Sequence, residues 1–244
     1  MTIDGVLFDV DDTLVDTRGA FGDALVAVGR HYLPPGLADA RADELLTVWR
    51  ADRGDHYRAY TRGELSFTEQ RRLRANDLHR IFGGPPLDGA AFAVWDEAFE
   101  RAFADGWRAH PDAPPVVDRL LAAGLRVGAL SNAGVAYQVD KLARVGLGDR
   151  VPMLVGIDTL DLGKPHPEVF VAAAGRLGTE PARTVYVGDE LDIDAAAARA
   201  AGLVGIWLDR PGVRRVTVTD EEIAAAGVPV ITTLAELPGL LGLA

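Results

Sequence analysis

The stretch GVLFDVDDTLV, residues 5–15, decides the fold that this sequence predicts. Its apolar part, residues 6–8, is typical of a strand that a parallel sheet buries on both faces. Three acids follow at once, Asp9, Asp11 and Asp12, and a buried strand tolerates such a cluster only at its end. Ligands bind at the carboxyl ends of strands in open α/β sheets, and a hard cation such as Mg²⁺ would neutralise the repulsion between the acids. The stretch therefore predicts a metal-assisted site at the tip of the first strand.

The acidic cluster has two other interpretations. Acids after a strand can cap the next helix or form a turn, which would be the better interpretation of a single Asp. A calcium-binding loop also spaces its ligands as Asp9, Asp11 and Thr13 are spaced. That loop needs a Gly at its sixth position, where this chain has Leu14, and it follows a helix instead of a strand.

Composition indicates an ordinary globular protein. Of its residues, 48% are hydrophobic and 25% are charged. The length of 244 residues is sufficient to bury the core of one domain or of two unequal domains. No apolar run approaches the ~20 residues of a membrane span, and no secretory leader is recognisable, so a cytoplasmic protein is expected. The absence of Cys excludes disulfides, thiolate zinc sites and Cys nucleophiles. The net charge of −11 argues against broad nucleic-acid binding but allows an anionic substrate beside a local cation.

Apolar periodicity divides the chain into two parts. Residues 16–107 show helical periodicity and no strand-like run; the predicted helices are 19–31, 38–53, 66–82 and 88–105. Strands and helices alternate after that, with strands predicted at 125–130, 153–157, 184–187, 203–208 and 228–231 and helices at 114–123, 136–145, 167–177, 192–201 and 234–241. Such alternation is typical of a doubly wound, Rossmann-like parallel sheet. We therefore predict an α/β core of residues 1–15 and 108–244 with residues 16–107 inserted as an all-α helical cap domain.

Polar residues follow the later strands as well. Ser131 and Asn132 come after residue 130, where a helix N-cap is the alternative interpretation. A second acidic stretch, GDELDID at 188–194, follows residue 187, and helix capping is again the alternative. The chain has 23 Arg but only two Lys, Lys141 and Lys164. Lys164 precedes a helix start, where its charge opposes the helix dipole; this indicates an anionic partner, although a surface Lys in a loop is the alternative.

Taken together, these clusters resemble the motifs of the haloacid dehalogenase-like (HAD) hydrolase superfamily, in its phosphatase-type subgroup with a helical C1 cap. The stretch DVDDT, residues 9–13, is similar to the DxDxT motif of that family. Ser131 matches the hydroxyl of the second motif and Lys164 the lysine of the third. Asp189 and Asp194 match the GDxxxxD form of the fourth. The four motifs occur in order over essentially the whole chain.

The resemblance implies a Mg²⁺-dependent phosphatase that hydrolyses a small phosphomonoester metabolite through an aspartyl-phosphate intermediate. Asp9 would be the nucleophile and Asp11 the general acid and base. Mg²⁺ would be held by the Asp9 side chain, the Asp11 carbonyl and Asp189, with Asp194 supporting the site. The implied substrate-binding residues are Ser131, Lys164 and Asn132. The resemblance implies that Ser131 and Lys164 are catalytic as well. The role of Glu190 is left open, because relatives often have Ser, Thr or Asn there.

The sequence also bears on other activities within the family. Family dehalogenases lack the second catalytic Asp, so Asp11 favours phosphoryl transfer, and a predicted cap without Lys argues against the Schiff-base phosphonate hydrolases. A sugar-phosphate mutase and a non-catalytic binding or regulatory member stay open. Arg53 or Arg58 of the cap could bind a distal group of the substrate, or belong to an exposed helix face. The expected partner is a small phosphorylated metabolite, with no nucleic acid and no membrane, and the protein is expected to be a monomer or homodimer.

Overall fold

The computed structural model describes residues 2–212, 214 and 217–243. The chain divides into two compact units, one formed by Met1–Asp16 with Arg108–Ala244 and the other by Thr17–Trp107. The first is called the core unit below and the second the helical unit.

The helical unit has helices and no strand among its described residues, namely α1 (Thr17–Tyr32), α2 (Leu37–Ala40), α3 (Ala42–Ala51), α4 (His56–Thr61), α5 (Phe67–Phe82) and α6 (Gly89–Asp105). The prediction of one helix over residues 38–53 was wrong. Arg41, with φ of −127°, separates α2 from α3, and Asp52 ends α3 in the left-handed region with φ of 39°. The short helix α4 was not predicted.

A local cap sets the start of helix α5, and aromatic rings form the core of the helical unit. The Ser66 hydroxyl accepts a hydrogen bond from the Glu69 N–H (3.1 Å), so α5 begins at the predicted cap. Trp49 and Trp95 are buried in the unit, and the rings of Trp95 and Phe99 stack with centroids 5.0 Å apart. These rings supply a large apolar area to the core of the unit.

The core unit contains one six-stranded sheet in its described residues. Its strands are β1 (Gly5–Phe8), β2 (Arg126–Leu130), β3 (Met153–Val155), β4 (Thr184–Gly188), β5 (Val204–Leu208) and β6 (Val230–Ile231). All paired strands are parallel, in the order β3-β2-β1-β4-β5-β6. The chain therefore winds outward from β1 in one direction and then from β4 in the other, which confirms the predicted doubly wound α/β fold with a helical insertion.

The helices of the core unit are α7 (Ala113–Ala122), α8 (Val135–Arg144), α9 (Pro167–Leu177), α10 (Ala197–Ala200), α11 (Asp220–Ala226) and α12 (Leu237–Leu240). Within the described part of the chain, no helix has both the length and the apolar character needed to cross a bilayer. The predicted helix over 192–201 differs from the structure, where a π-helical turn, Leu191–Ala196, precedes the short α10. The helix α11 was not predicted.

Burial explains why β1 lies at the centre of the sheet. Val6, Leu7 and Phe8 have no exposed surface, and β1 is hydrogen-bonded to β2 on one side and β4 on the other. At about 1.5–3 kcal/mol for each fully buried apolar side chain, these residues contribute strongly to the core. The first strand thus holds the acids that follow it at the middle of one sheet edge.

Candidate active site

The acids that end β1 and β4 lie side by side. These two strands are neighbours at the point where the strand order reverses, the place where a crevice opens at the carboxyl ends of the strands. Phe8 is in register with Val187, and the Asp9 N–H donates to the Val187 carbonyl (2.8 Å). Asp9 therefore leaves β1 directly beside Asp189, which follows the last residue of β4.

A tight turn follows Asp9 and sets the direction of the next acids. The Val10 carbonyl accepts hydrogen bonds from the N–H groups of Leu14 (3.0 Å) and Val15 (2.9 Å). Asp12 adopts a left-handed conformation with φ of 60°, which Asp tolerates better than most residues. The sequence DVDDT thus provides both the acids and the turn that orients them.

An ion pair anchors this turn from the other side. Arg210 donates to the Thr13 carbonyl (3.1 Å) and makes two hydrogen bonds to the Asp112 carboxylate (2.8 and 2.9 Å). The same carboxylate accepts from the Thr233 hydroxyl (2.6 Å) and the Leu234 N–H (2.8 Å). Arg210 and Asp112 are therefore structural residues that tie the turn to the C-terminal part of the sheet.

The Lys164 ammonium is the centre of the acidic cluster. Its side chain is buried, and Nζ donates to Asp9 Oδ1 (2.7 Å), Asp194 Oδ1 (2.6 Å) and Tyr186 Oη (2.9 Å). Burial lowers the pKa of Lys164, but the carboxylates of Asp194 and Asp9 more than compensate, so this pKa lies well above its ordinary value. The structure thus brings two predicted site residues, Asp9 and Asp194, together around the charged ammonium of a third, Lys164.

Asp194 is held in place by its own turn. Its Oδ2 accepts from the Glu190 N–H (3.0 Å), and its Oδ1 accepts from Lys164. A Cβ at Gly188 would lie 2.4 Å from Asp194 Cγ, so only Gly leaves room for this carboxyl group. The π-helical turn after β4 is a local departure of the kind often found at functional sites. The backbone of Glu190, whose role the sequence left open, therefore orients Asp194.

Three carboxylates of this cluster form a set of hard oxygen donors. One oxygen each from Asp9, Asp189 and Asp194 lie within 4.8 Å of one another, which is compact enough for a single cation. Burial raises the pKa of Asp9 to about 8; Lys164 lowers it, while Asp194 and Asp11 raise it. Burial and the charges of Asp12 and Asp9 also raise the pKa of Asp189 well above its ordinary range. A divalent cation at this place would oppose both effects, so the residues fit such an ion.

The residues after β2 have different roles in the structure. Asn132 Nδ2 donates to the Lys164 carbonyl (2.9 Å), and Asn132 Oδ1 accepts from the Lys164 N–H (2.6 Å). Its amide therefore holds the backbone of Lys164. Ser131 is buried, and its Oγ accepts from the Ala133 N–H (3.2 Å) and from Gln138 Nε2 (2.8 Å).

Asp11 points toward helix α8. Its Oδ1 accepts from Lys141 Nζ (2.5 Å) and its Oδ2 from Gln138 Nε2 (2.6 Å). The Asp11 side chain is 38% exposed, whereas the side chain of Lys141 is only 2% exposed. Asp11 and Ser131 are thus joined through Gln138 into a second group beside the acidic cluster.

Three residues near the predicted site were missed from the sequence. Tyr186 lies in a buried strand, where its hydroxyl needs a partner, and it contacts Lys164, Asp194 and the Leu130 carbonyl (3.1 Å). Lys141 was singled out only by the rarity of Lys in this chain. Gln138 gave a weaker signal, being a polar residue on a helix whose neighbours are largely apolar.

The two Arg residues with a predicted substrate role, Arg53 and Arg58, lie within the helical unit, and both are exposed. In contrast, the guanidinium groups of Arg71 and Arg74 lie over aromatic rings, that of Arg74 at 4.1 Å from the centroid of Trp49. These two cations therefore pack on aromatic rings inside the unit. The binding of a substrate group by Arg53 or Arg58 stays a prediction.

Known proteins resemble this chain in both sequence and fold. The family model of the haloacid dehalogenase-like hydrolases matches residues 3–202. The chain is 29% identical over 212 residues to glyceraldehyde 3-phosphate phosphatase of Methanopyrus kandleri, covering 85% of this chain and 84% of that protein. It is 28% identical over 215 residues to phosphoglycolate phosphatase of Salmonella paratyphi A, covering 84% and 81%. The HAD-hydrolase YfnB of Bacillus subtilis, solved bound to magnesium, has the same fold, with a TM-score of 0.76, 22% identity and 99% of each chain covered.

Proposed function

Because the chain belongs to the haloacid dehalogenase-like hydrolases, we propose that it is a Mg²⁺-dependent phosphatase of a small phosphomonoester metabolite, with Asp9 as the nucleophile. The observation that carries the proposal is the cluster of Asp9, Asp189 and Asp194 at the carboxyl ends of β1 and β4, in which Lys164 pairs with Asp9 and Asp194. The two relatives named as phosphatases support the substrate class. The core unit would be the catalytic core and the helical unit its cap; the cytoplasmic location and the monomeric or homodimeric state stay predictions.

The first chemical step joins Asp9 to the substrate phosphorus. The Asp9 Oδ1 atom accepts from Lys164, which leaves the other carboxylate oxygen to form the new bond to phosphorus. As that bond forms, the bond from phosphorus to the leaving oxygen breaks, and Asp11 donates a proton to this oxygen. The alcohol leaves, and an aspartyl phosphate remains on residue 9.

The second step returns Asp9 to its free form. Asp11, now a carboxylate, takes a proton from a water molecule whose oxygen attacks the phosphorus. The bond between phosphorus and the Asp9 oxygen breaks, so inorganic phosphate is released and both carboxyl groups regain their starting states. One residue thus serves as acid in the first step and base in the second.

Positive charge is needed because both reactants are anions. The Lys164 ammonium and the Ser131 hydroxyl would bind the oxygens of the transferred group, and Asn132 would keep the Lys164 backbone in position. When bound at Asp9, Asp189 and Asp194, with the Asp11 carbonyl as a further ligand, Mg²⁺ would shield the nucleophile from the phosphate charge. Tyr186 holds the Lys164 ammonium from the side of the sheet.

The test is phosphate release from 4-nitrophenyl phosphate, 2-phosphoglycolate and glyceraldehyde 3-phosphate, each with Mg²⁺ and with a chelator. We expect metal-dependent release that Asp9→Asn abolishes and that Asp140→Asn, a change at an exposed residue of α8, leaves intact. Conversion of a sugar phosphate to its isomer without release of phosphate would contradict the proposal and favour a mutase. Folded protein that releases no phosphate from any substrate would favour a binding or regulatory role.

A further inference from the structure

Helix α8 presents two fully buried polar side chains to the proposed catalytic residues. Gln138 has no exposed surface, and Lys141 has 1%. They lie three positions apart, so they share one face of the helix. Neither residue belongs to the four motifs identified in the sequence. Building on the proposed phosphatase function, we infer that Gln138 and Lys141 are positioning residues that fix the Asp11 carboxyl group and the Ser131 hydroxyl relative to each other.

The contacts of Asp11 support this role. Each of its two carboxylate oxygens accepts a bond from a different side chain of α8, Oδ1 from Lys141 Nζ (2.5 Å) and Oδ2 from Gln138 Nε2 (2.6 Å). Two bonds from one helix fix both the position and the rotation of the carboxyl plane. A group that exchanges a proton with the leaving oxygen in one step and with the attacking water in the next depends on this orientation, since a misplacement of about 1 Å can cost about 100-fold in rate.

The contacts of Ser131 point the same way. A hydroxyl has two lone pairs and one hydrogen, and here the lone pairs accept from Gln138 Nε2 (2.8 Å) and the Ala133 N–H (3.2 Å). The hydrogen of Ser131 is therefore directed away from both, available to an oxygen of a phosphoryl group. Gln138 thus orients the acid through one bond and the phosphate-binding hydroxyl through another.

The energetics of burial argue that the main role of Lys141 is not stability. Burying an ammonium group is energetically costly, and an apolar residue of similar volume often gives equal or greater stability. The partner, Asp11, is 38% exposed, so water can solvate its carboxylate when Lys141 is replaced. We therefore expect Lys141→Met to fold, which separates its effect on the reaction from its effect on stability.

The helix that carries these residues is itself anchored. The Asp158 carboxylate accepts from the Val135 N–H at the start of α8 (3.0 and 3.2 Å). The Tyr137 ring lies 5.0 Å from Lys141 Nζ, measured to the ring centroid. The first contact fixes the start of α8, and the second, made within the helix, restricts the Lys141 side chain.

The test compares two leaving groups in Lys141→Met, Gln138→Leu and a control, Arg144→Met, on the exposed part of the same helix. Glycerol phosphate needs a proton on its leaving oxygen, whereas 4-nitrophenyl phosphate releases a stable phenolate. For glycerol phosphate, we expect kcat to fall about 100-fold in both variants with KM changed less than about threefold. Arg144→Met should match the wild type with both substrates.

A second readout comes from the aryl ester. Formation of the aspartyl phosphate depends little on Asp11 with this substrate, but its hydrolysis still needs Asp11 as a base. Both variants should therefore show a rapid burst of about one nitrophenolate per enzyme and then slow turnover. A merely structural role of α8 would slow both phases together.

Several results would overturn the inference. An equal loss of kcat for both leaving groups, without a burst, would assign the effect to folding of the site. A raised KM with unchanged kcat would make Lys141 a phosphate-binding cation instead. Wild-type kinetics in both variants would show that Gln138 and Lys141 do not position Asp11 or Ser131, and the proposed function would be unaffected. If the wild-type protein itself releases no phosphate with Mg²⁺, the proposed function fails, and the inference fails with it.

Discussion

Replacing Gly188 with Ala is expected to displace Asp194 while leaving the rest of the sheet intact. The added Cβ would lie 2.4 Å from both Cγ and Oδ2 of Asp194, where ordinary contacts begin at 3.4 Å. The Asp194 side chain must therefore move by about 1 Å, which breaks its 2.6 Å bond to Lys164 Nζ. Since a displacement of this size can cost about 100-fold in rate, we expect kcat/KM for 4-nitrophenyl phosphate to fall about 100-fold.

The effect of this substitution on stability is expected to be moderate. Adding a methyl group to a well-packed site costs about 1–3 kcal/mol, which urea denaturation would measure. Gly175→Ala is the matched control, because Gly175 lies in α9 and a Cβ added there would have no heavy atom within 4 Å. It should keep full activity and gain about 0.5–1 kcal/mol in the free energy of unfolding. Wild-type kcat/KM in Gly188→Ala would refute the assigned role of Asp194.

Three further predictions test other parts of the structure. Lys164→Met should abolish phosphate release. It should also lower the free energy of unfolding, measured by urea denaturation, by about 3 kcal/mol, because two buried carboxylates lose their cation. A variant that is active and as stable as the wild type would contradict this. Burial raises the pKa of Asp112, but hydrogen bonds from Arg210 and Thr233 outweigh it and place this pKa below its ordinary value. The Asp112 carboxylate therefore stabilises the fold above pH ~4 and loses this effect as the pH falls through its lowered pKa. The difference in free energy of unfolding between wild type and Asp112→Asn should accordingly become smaller as the pH is lowered. A difference that grows would refute the reasoning. Mg²⁺ at 100 times its Kd should stabilise the wild type by about 2.7 kcal/mol in thermal unfolding. Asp189→Asn should lose this gain, while Asp192→Asn, a change at an exposed residue, should keep it. Equal gains in both variants would contradict the proposed ligands.

Much of the fold follows from local sequence signals. The alternation of strands and helices predicts the parallel sheet, and the four motifs predict a family that the comparison confirms. The bounds of α9 are as predicted, because Pro167 starts the helix and Gly178, with φ of 78°, ends it. Such signals act within one turn of the chain, which is why sequence alone carries them.

The missed elements lack a strong periodic pattern. Helix α11 is only seven residues long and buries no side chain, so its apolar periodicity is weak; the capping box of Thr219 and Glu222 was the available signal. A π-helical turn, such as the one at Leu191–Ala196, has an apolar pattern too close to that of an α-helix to be distinguished over six residues.

The site could be predicted only as far as its motifs reach. Asp9, Lys164 and Asp194 carry their motif around them, and the fold brings them together. The pairing of Lys141 with Asp11 joins residues 130 positions apart, and no local pattern indicates such a contact. The sequence likewise contained no sign that the Asn132 amide bonds to the backbone of Lys164, while the binding of substrate by Asn132 stays a prediction.

The most direct test of the proposed mechanism is to trap the phosphorylated residue. Enzyme turning over 4-nitrophenyl phosphate with Mg²⁺ would be quenched in acid and treated with borohydride, which reduces an acyl phosphate to an alcohol. Peptide mass spectrometry should then find homoserine in place of aspartate at position 9, and only in samples that contained Mg²⁺. Turnover with an unmodified Asp9, or with the modification at Asp11 or Asp189, would contradict the assignment of Asp9 as the nucleophile.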